Sequence, residues 1–437
     1  MPKRNLLLLC LMTVVCLASW QARDHGLRGR RFGEVMTAIE RSYLEPVDDE
    51  ALFAAAMEGL FSKLDENSAF LAGERRRELD AALDQQFGGV GLELLADEKR
   101  GIVVQTPVPG SPAWRAGIAP GDRIVAIDGG RTDNMKLKDA VVAVRGRPGT
   151  TVVVTAVGPA AGPAPRTVAL VREMVRTESV HGDRRRPDGS WDWFIEGEPA
   201  IALIRITGFG DRTLEELDRG LEEIAARGPP AGIVLDLRGN PGGLLSAAVG
   251  VCDRFLDEGV IVSTRGRAAG GAGNGGPPDV RRAMTGGMVD VPMAVLVDGL
   301  TASAGEIVAA CLQDNGRAAI VGSRTFGKGT VQSILPLSDG QSLLKLTTSE
   351  YLRPSNADIH RRAGADVWGV SPDPGLEITP TAETLTAVAA WRRRRDAAYP
   401  PGAIVPADGE EPQSSADLPR HVDPVLARAI DVLQGSR

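Results

Sequence analysis

Residues 232–243 read GIVLDLRGNPGG, an apolar run that ends in a glycine-rich turn. A continuous apolar run predicts a strand that is buried on both faces, because a half-exposed strand would alternate with polar residues. Similar runs occur at 201–206 and 292–297, and amphipathic segments follow at 213–226 and 244–255. Strands that alternate with amphipathic helices indicate βαβ units. This part of the chain therefore predicts an α/β domain with a largely parallel sheet.

The composition excludes several classes of protein. The chain has 437 residues, of which 43% are hydrophobic and 24% charged, so it has enough apolar side chain for two or three folded domains. The net charge is −7 and no long basic stripe is present, which argues against a nucleic-acid partner. The four histidines and the cysteines lack the spacing of a zinc site, so we expect no metal and no other cofactor.

The first 22 residues have the order of an export signal. Lys3 and Arg4 precede an uncharged, largely apolar run at 5–22, as in a secretory n-region and h-region. Trp20 and Gln21 stand where small residues would allow cleavage. A cleaved signal peptide and a retained membrane anchor therefore both stay open. The expected location is the periplasm, or the membrane with the protein facing the extracytoplasmic space.

Two cysteines lie beyond the export segment, Cys252 and Cys311. An oxidising compartment would allow a disulfide between them. Each stands in an apolar helical pattern, however, so we expect two buried free thiols.

The remaining sequence suggests four further regions. Apolar residues at helical spacing predict an N-terminal helical subdomain at 23–84. Short apolar runs punctuated by glycine, among them a strand across 88–94, predict a small, partly open β-barrel at 85–174. The α/β domain is placed at 175–380, and the weakly patterned residues 381–437 are expected to form a linker and tail with a final short helix.

One segment inside the α/β region has an unusual composition. Residues 266–287 are rich in Gly and Ala and contain two prolines. We expect a flexible loop there, which could act as a lid or a partner site.

A serine in the segment VLVDGLTASAGEIV, residues 295–308, is the first candidate for catalysis. Ser303 follows a predicted strand and precedes an apolar helix, so it would stand at the edge of the sheet where clefts form and backbone amides are free. The alternative is an N-cap, with Glu306 completing a capping box. On this segment alone the capping interpretation is the favoured one.

A lysine held between two glycines shifts that balance. The segment RTFGKGTVQ, residues 324–332, places Lys328 on a short turn between two predicted strands. A serine hydroxyl needs a base, the histidines are scattered along the sequence, and a desolvated lysine can take that role. An ordinary surface cation and a phosphate-binding loop are the alternatives. The P-loop spacing fails because Gly329 follows the lysine.

Acyl transfer also needs hydrogen-bond donors for an oxyanion. The turn at 238–243 ends a strand and opens a helix, where glycine lets a backbone amide approach a substrate carbonyl. The amide of Gly242 or Gly243 would be one donor and the amide of Ala304 the other. A plain strand-to-helix turn is the alternative.

These motifs together resemble those of the carboxyl-terminal processing peptidases, also called tail-specific proteases. The resemblance rests on TASAGE at 301–306, on GKG at 327–329 with Gln332, and on DLRGNPGG at 236–243. It covers about residues 30–380. It implies a crotonase/ClpP-like α/β catalytic domain with an inserted PDZ domain in place of the plain β-barrel and an N-terminal helical subdomain.

The resemblance also implies a mechanism. Ser303 attacks the peptide carbonyl, Lys328 accepts its proton and later gives it to the leaving amine, and Gln332 orients Lys328. Glu306 is a possible accessory residue, and Arg145 could report the position of the PDZ domain to the active site.

The expected substrates are proteins or peptides with free, apolar C-termini. Gly89, Val90, Gly91 and Leu92 resemble the carboxylate-binding loop of a PDZ domain, and Ser111 begins a segment that resembles its hallmark. A PDZ domain adds a chain end as a strand and holds its carboxylate with backbone amides.

Two other classes of protein stay open. The chain could be a catalytically inactive PDZ scaffold, although the joint presence of Ser303, Lys328 and Gln332 argues against it. A crotonase-type acyl-CoA enzyme is opposed by the export segment. A self-associating N-terminal region would make a homodimer.

Overall fold

The computed structural model describes residues 26–97, 99–158, 162–266, 278–284, 291–403 and 419–435. The predicted export segment lies outside these residues. The chain separates into two units, of which the first comprises Met1–Gly73 and Gln332–Thr347 and the second Glu74–Val331 and Thr348–Arg437. No helix among the described residues has the length and hydropathy needed to cross a bilayer.

The first unit is mainly helical. It contains α1 (26–42), α2 (Asp49–Phe61) and β1 (Ala69–Leu71). The side chain of Asp48 accepts the N–H groups of Glu50 and Ala51 and so caps α2. Strand β1 pairs with residues 343–345 of the same unit. The helical spacing seen in the sequence is therefore realised, with a short strand added.

The next part of the chain forms a small barrel. Its elements are α3 (Gly73–Leu83), β2 (Gln86–Gly89), β3 (Leu92–Asp97), β4 (Gly101–Pro107), α4 (Pro112–Arg115), β5 (Arg123–Ile127), β6 (Gly130–Arg131), α5 (Leu137–Val144), β7 (Thr151–Gly158), β8 (Gly162–Val171) and β9 (Glu173–Arg176). The main sheet has the order β3-β4-β5-β7-β8, and β2 pairs with β9. Aliphatic residues such as Ile118, Ile124 and Val152 fill its interior.

The strand predicted across 88–94 is interrupted. Gly91 has a φ of 76°, and a Cβ there would lie 2.2 Å from the Cβ of Ser111. Its carbonyl accepts the N–H of Val108, and the carbonyl of Val90 accepts the N–H of Ala113. The close approach of α4 thus turns the chain between β2 and β3.

The remaining elements belong mostly to the α/β domain. They are β10 (Val180–His181), β11 (Arg184–Arg185), β12 (Trp191–Asp192), β13 (Phe194–Ile195), β14 (Glu198–Ile206), α6 (Thr213–Ala226), β15 (Gly232–Asp236), α7 (Leu245–Phe255), β16 (Val260–Gly266), β17 (Asp279–Arg282), β18 (Met293–Val297), α8 (Ala304–Asp314), β19 (Ala319–Gly322), β20 (Thr330–Pro336), β21 (Leu343–Leu352), α9 (Ala382–Asp396), α10 (Pro419–Val422) and α11 (Pro424–Leu433).

The central sheet is largely parallel, as the apolar runs predict, and the short strands β10 and β13 run antiparallel to β14. Strands β14, β15, β18 and β19 lie side by side and run in one direction. Every residue of β15 and β18 is buried. Helices α6, α7 and α8 pack on one face, and α11 packs on the other. The carboxyl ends of β15 and β18 therefore meet at one edge of the sheet, which is where the candidate site lies.

Two sequence-based expectations need correction, and one is confirmed. Residues 267–277 and 285–287 of the predicted loop lie outside the described residues, but 279–282 form the strand β17, which pairs with β16. The tail beyond residue 380 is not a plain linker, because α9 and α11 both bury side chains in the domain. Cys252 and Cys311 are buried free thiols, as expected. Burial raises the pKa of the Cys252 thiol.

Candidate active site

Ser303 stands on a strained turn between a strand and a helix. Strand β18 ends at Val297, α8 begins at Ala304, and Ser303 has φ 53° and ψ −115°. A residue that only caps a helix has extended backbone angles, and a non-glycine residue in this region is strained. Such strain persists where the surroundings enforce it. The backbone therefore favours the nucleophile interpretation of Ser303 over the N-cap interpretation.

The carboxylate of Glu306 joins the serine turn to the lysine loop. Its Oε2 accepts the N–H of Ser303 at 2.9 Å and the N–H of Lys328 at 2.8 Å. Its Oε1 accepts the N–H of Gly327 at 2.7 Å and the hydroxyl of Thr325 at 2.5 Å. The main-chain N–H groups of the two candidate catalytic residues thus donate to the same oxygen atom.

Glu306 is fully buried, and this burial has an electrostatic cost. Burial raises its pKa above the ordinary value of 4.5, although the four hydrogen bonds act to lower it. All four partners are donors, so the arrangement suits the ionised carboxylate. Glu306 therefore does more than complete a capping box with Ser303, the alternative role that the sequence left open.

The lysine loop needs both of its glycines. Gly327 has φ 91°, and a Cβ there would lie 2.6 Å from the Trp368 ring. A Cβ on Gly329 would lie 2.4 Å from the main-chain nitrogen of His360. The carbonyls of these glycines accept the N–H groups of Arg361 and Tyr351. Lys328 is thus held on a tight loop between two segments of the fold.

The glycine-rich turn after β15 lies against the serine. A Cβ on Gly242 would come within 2.8 Å of the Ser303 Cβ and 3.1 Å of the Ala304 nitrogen. The N–H of Gly242 donates to Asn240 Oδ1 at 2.8 Å, so this amide points into its own turn. Of the donors predicted from sequence, the amides of Gly243 and Ala304 have no hydrogen-bond partner within the described residues.

Further hydrogen bonds fix that turn to the serine segment. The carbonyl of Asn240 accepts the N–H of Ala302, and the N–H of Gly239 donates to Asp298 Oδ1 at 3.0 Å. The hydroxyl of Thr301 donates to the carbonyl of Leu237 at 2.9 Å. The two turns therefore form one rigid edge of the sheet.

Tyr351 is a residue that sequence reasoning missed. The Ser303 side chain hydrogen-bonds the phenol oxygen and acts to lower the pKa of the phenol, and the N–H of Tyr351 donates to the Gly329 carbonyl at 2.7 Å. Burial raises the pKa of this phenol to about 12, so it stays protonated and can donate. Tyr351 lies 48 residues after Ser303 on β21, and no local motif marks it.

Gln332 belongs to the first unit, where it joins a short chain of hydrogen bonds. Its Nε2 donates to Thr347 Oγ1 at 3.3 Å, and the Thr347 hydroxyl donates to Asp65 Oδ1 at 2.9 Å. Partial desolvation acts to raise the pKa of Asp65, which is exposed, but hydrogen bonds from Ser68 and Thr347 hold it below its usual value. The amide of Gln332 therefore has a defined orientation, with its nitrogen toward Thr347.

Arg145 lies in the barrel, directly after α5. Its guanidinium carbon lies 4.8 Å from the centroid of the Phe87 ring, and its backbone pairs with that of Gly89 in antiparallel fashion. It is therefore placed beside the predicted carboxylate-binding residues Gly89, Val90, Gly91 and Leu92. Gly89 ends β2 and Leu92 begins β3, so Val90 and Gly91 form the turn between these strands, and Val90 is 1% exposed.

Comparison with known proteins identifies the family. The sequence matches peptidase family S41 over residues 200–375 and a PDZ domain over residues 103–157. It is 35% identical to the carboxy-terminal-processing protease of Bartonella bacilliformis over 349 residues, which is 78% of this chain and 74% of that protein. It is 31% identical to the carboxy-terminal processing protease CtpA of Bacillus subtilis over 343 residues, 78% of this chain and 67% of that protein.

The solved structures support the fold. A putative S41 protease from Bacteroides fragilis matches with a TM-score of 0.50 at 15% identity and covers 92% of this chain and 97% of its own. The fold and the matched families define a serine peptidase that carries a PDZ domain. The chain belongs to the carboxy-terminal processing proteases of peptidase family S41. Its substrates are accordingly proteins.

Proposed function

We propose that this protease cleaves peptide bonds with a Ser303–Lys328 dyad. The Ser303 hydroxyl gives its proton to an uncharged Lys328 as its oxygen attacks the substrate carbonyl carbon. The C–N bond then breaks, and Lys328 returns the proton to the leaving amine. A water molecule, deprotonated by the same lysine, hydrolyses the acyl-enzyme and frees Ser303. Gln332 is proposed to orient Lys328.

The observation that carries this proposal is the shared oxygen of Glu306. A base must lie within hydrogen-bond reach of the nucleophile, and the N–H groups of Ser303 and Lys328 converge on one carboxylate oxygen at 2.9 and 2.8 Å. The strained backbone of Ser303 adds independent support. For the developing oxyanion we propose the amides of Gly243 and Ala304 as donors, with Gly242 shaping the turn.

We further propose that the PDZ domain captures free, apolar substrate C-termini. The segment from Gly89 to Leu92 joins strands β2 and β3 through a turn at Val90 and Gly91, and backbone amides of such a segment suit a terminal carboxylate. Arg145 lies beside this turn and is proposed to couple its occupancy to the active site.

The test is cleavage of an unstructured polypeptide with an apolar free C-terminus by the chain lacking residues 1–22. We expect Ser303→Ala and Lys328→Ala to abolish cleavage while still binding the free-tailed substrate. Amidation of the substrate's C-terminus should raise KM for the unaltered sequence. If both variants cleave as well as the unaltered chain, the dyad is refuted. If every form is inert yet binds the tail, the protein is a PDZ scaffold.

His360 provides a sharp internal control for the identity of the base. Its main chain lies against Gly329, next to Lys328, and its Nδ1 is buried with no hydrogen-bond partner among the described residues. If Lys328 is the base, His360→Gln should keep kcat within about threefold of the value for the unaltered sequence. Loss of activity in His360→Gln, with activity kept in Lys328→Ala, would assign the base to the histidine.

Export and self-association are also proposed. The segment at 1–22 is proposed to direct the protein to the periplasm or to hold it at the membrane. N-terminal sequencing of the exported protein tests whether this segment has been removed. Helices α1 and α2 expose apolar side chains, including Phe32, Val35, Phe53 and Leu60, which supports a homodimer through this region. A monodisperse monomer in light scattering would remove that proposal.

A further inference from the structure

Helix α11 is part of the catalytic domain rather than an appended tail. Val425, Leu426, Ala429 and Ile430 are at most 2% exposed and pack with buried residues of β14, β15, β18 and β19. The helix covers the face of the sheet opposite α6, α7 and α8. It begins immediately after Asp423, a carboxylate that is 1% exposed.

Asp423 has more partners than a helix cap requires. Its Oδ1 accepts the N–H groups of Val425 and Leu426, both at 3.1 Å, which is the ordinary capping role. The same carboxylate also accepts Nη1 and Nη2 of Arg238 at 3.0 and 2.8 Å. A bidentate pair of this kind fixes the plane of the guanidinium as well as its position.

Arg238 stands at the root of the glycine-rich turn. Its Nε and Nη2 donate to Asp236 at 2.9 and 2.7 Å, so its guanidinium lies between two carboxylates. Burial alone would lower the pKa of Arg238, but Asp236 and Asp423 raise it, and the cation is always present. Removing one of the two carboxylates therefore leaves a buried, partly unpaired charge at the base of the turn.

The turn connects Arg238 to the reacting atoms. The next residue, Gly239, donates its N–H to Asp298. The carbonyl of Asn240 accepts the N–H of Ala302, and the Asn240 side chain accepts the N–H of Gly242. A shift of Arg238 would move these contacts and with them the amide of Gly243. Displacements of about 1 Å that originate outside the reacting groups can cost about 100-fold in rate.

We propose that Asp423 is a positioning residue for the peptidase reaction. Helix α11 holds Arg238 through Asp423, and Arg238 holds the turn that presents the oxyanion donor to Ser303. This inference rests on the proposed chemistry of Ser303. It assigns a role in catalysis to a residue 120 positions away in sequence, in a region that the sequence alone predicts to be a tail.

The experiment uses three variants of the chain lacking residues 1–22. Asp423→Asn keeps an oxygen that can cap α11 and removes the charge that pairs with Arg238. Asp423→Glu keeps the charge with altered geometry. Asp431→Asn is the matched control, because Asp431 lies on the same helix and pairs with Arg420, away from the turn. Cleavage of an internally quenched peptide gives kcat and KM, a fluorophosphonate gives the labelling rate of Ser303, and melting gives Tm.

We expect Asp423→Asn to lower kcat and the labelling rate about 10- to 100-fold with KM within twofold, because substrate binding does not depend on the turn. Asp423→Glu should recover part of kcat, and Asp431→Asn should keep it within twofold. Unchanged kcat in Asp423→Asn overturns the inference. A loss of kcat that matches the unfolded fraction, or that Asp431→Asn shares, also overturns it and makes the role structural. If Ser303→Ala keeps cleaving, the proposed nucleophile has failed instead.

Discussion

Ser303 illustrates how a single residue can be ambiguous in sequence and clear in structure. A serine before a helix with a glutamate three residues later is typical of a capping box. The backbone angles of Ser303 depart from those of a cap, and the Glu306 side chain reaches the lysine loop as well as the helix start. Strain and shared hydrogen bonds, neither of which a sequence pattern encodes, separate the two interpretations.

Tyr351 carries the first prediction at the residue scale. Its phenol keeps its proton, so it can donate to the Ser303 oxygen once the serine hydroxyl has lost its own proton and so stabilise the charge that develops there. Because a hydrogen bond to a charged group contributes about 1.5–3 kcal/mol, Tyr351→Phe should lower kcat about 10- to 100-fold with little change in KM. Steady-state kinetics measure this.

Tyr43 is the matched control for that measurement, since it is 63% exposed. Tyr43→Phe should leave kcat within twofold of the unaltered sequence. Equal kcat in Tyr351→Phe and Tyr43→Phe would show that the phenol near Ser303 has no part in the reaction.

At the scale of elements, α8 and the lysine loop are joined by a carboxylate that only accepts hydrogen bonds. In Glu306→Gln, the amide nitrogen would face N–H donors, so at least one of the four bonds is lost and a donor is left unsatisfied. We expect a fall of at least tenfold in kcat and a loss of about 1–3 kcal/mol in unfolding free energy. Kinetics and urea unfolding measure the two effects.

Glu383 offers the control for this substitution. It stands in the first turn of α9 and is exposed, so Glu383→Gln removes only the interaction of a carboxylate with a helix start. It should keep kcat within about twofold and change the unfolding free energy by no more than about 0.5 kcal/mol. If Glu306→Gln behaves like Glu383→Gln, the joining role of Glu306 is wrong.

How far the sequence predicts this fold and site depends on distance along the chain. The apolar run of β15, the helix at 213–226 and the spacing of Ser303 and Lys328 are local signals, and the structure has these elements at the expected places. Tyr351, Asn240 and Asp423 act through partners between about 30 and 190 residues away. Such contacts depend on tertiary packing, and no local motif identifies them.

The weak pattern beyond residue 380 has a related cause. Helix α9 has three consecutive arginines in its last turn and little apolar periodicity, so it reads as a solvated segment. In the structure, Arg392 and Arg395 reach Asp183, and Arg395 also pairs with Glu196. Asp183, just before β11, and Glu196, just after β13, thus fix the position of a helix that composition alone does not predict.

At the scale of the whole molecule, the second unit carries a half-buried histidine among charged groups. The ring of His181 stacks on Trp191 with the centroids 4.9 Å apart. Burial, with help from Arg205 and Arg185, lowers the pKa of His181 from 6.5 to about 4, although Asp396 and Glu178 act in the opposite direction. The folded protein therefore keeps this ring neutral at a pH where the unfolded chain protonates it.

The sign of the resulting pH dependence follows from that difference. The contribution of His181 to the unfolding free energy is fully present above pH 6.5 and is lost as the pH falls toward 4, because the unfolded chain binds a proton that the folded chain does not. A shift of this size corresponds to about 3 kcal/mol. Urea unfolding between pH 7 and 4.5 should show this loss, and His181→Gln should flatten it. His421→Gln, at an exposed position, should keep the slope of the unaltered sequence. Equal slopes in all three proteins would mean that His181 is not the group that links folding to pH.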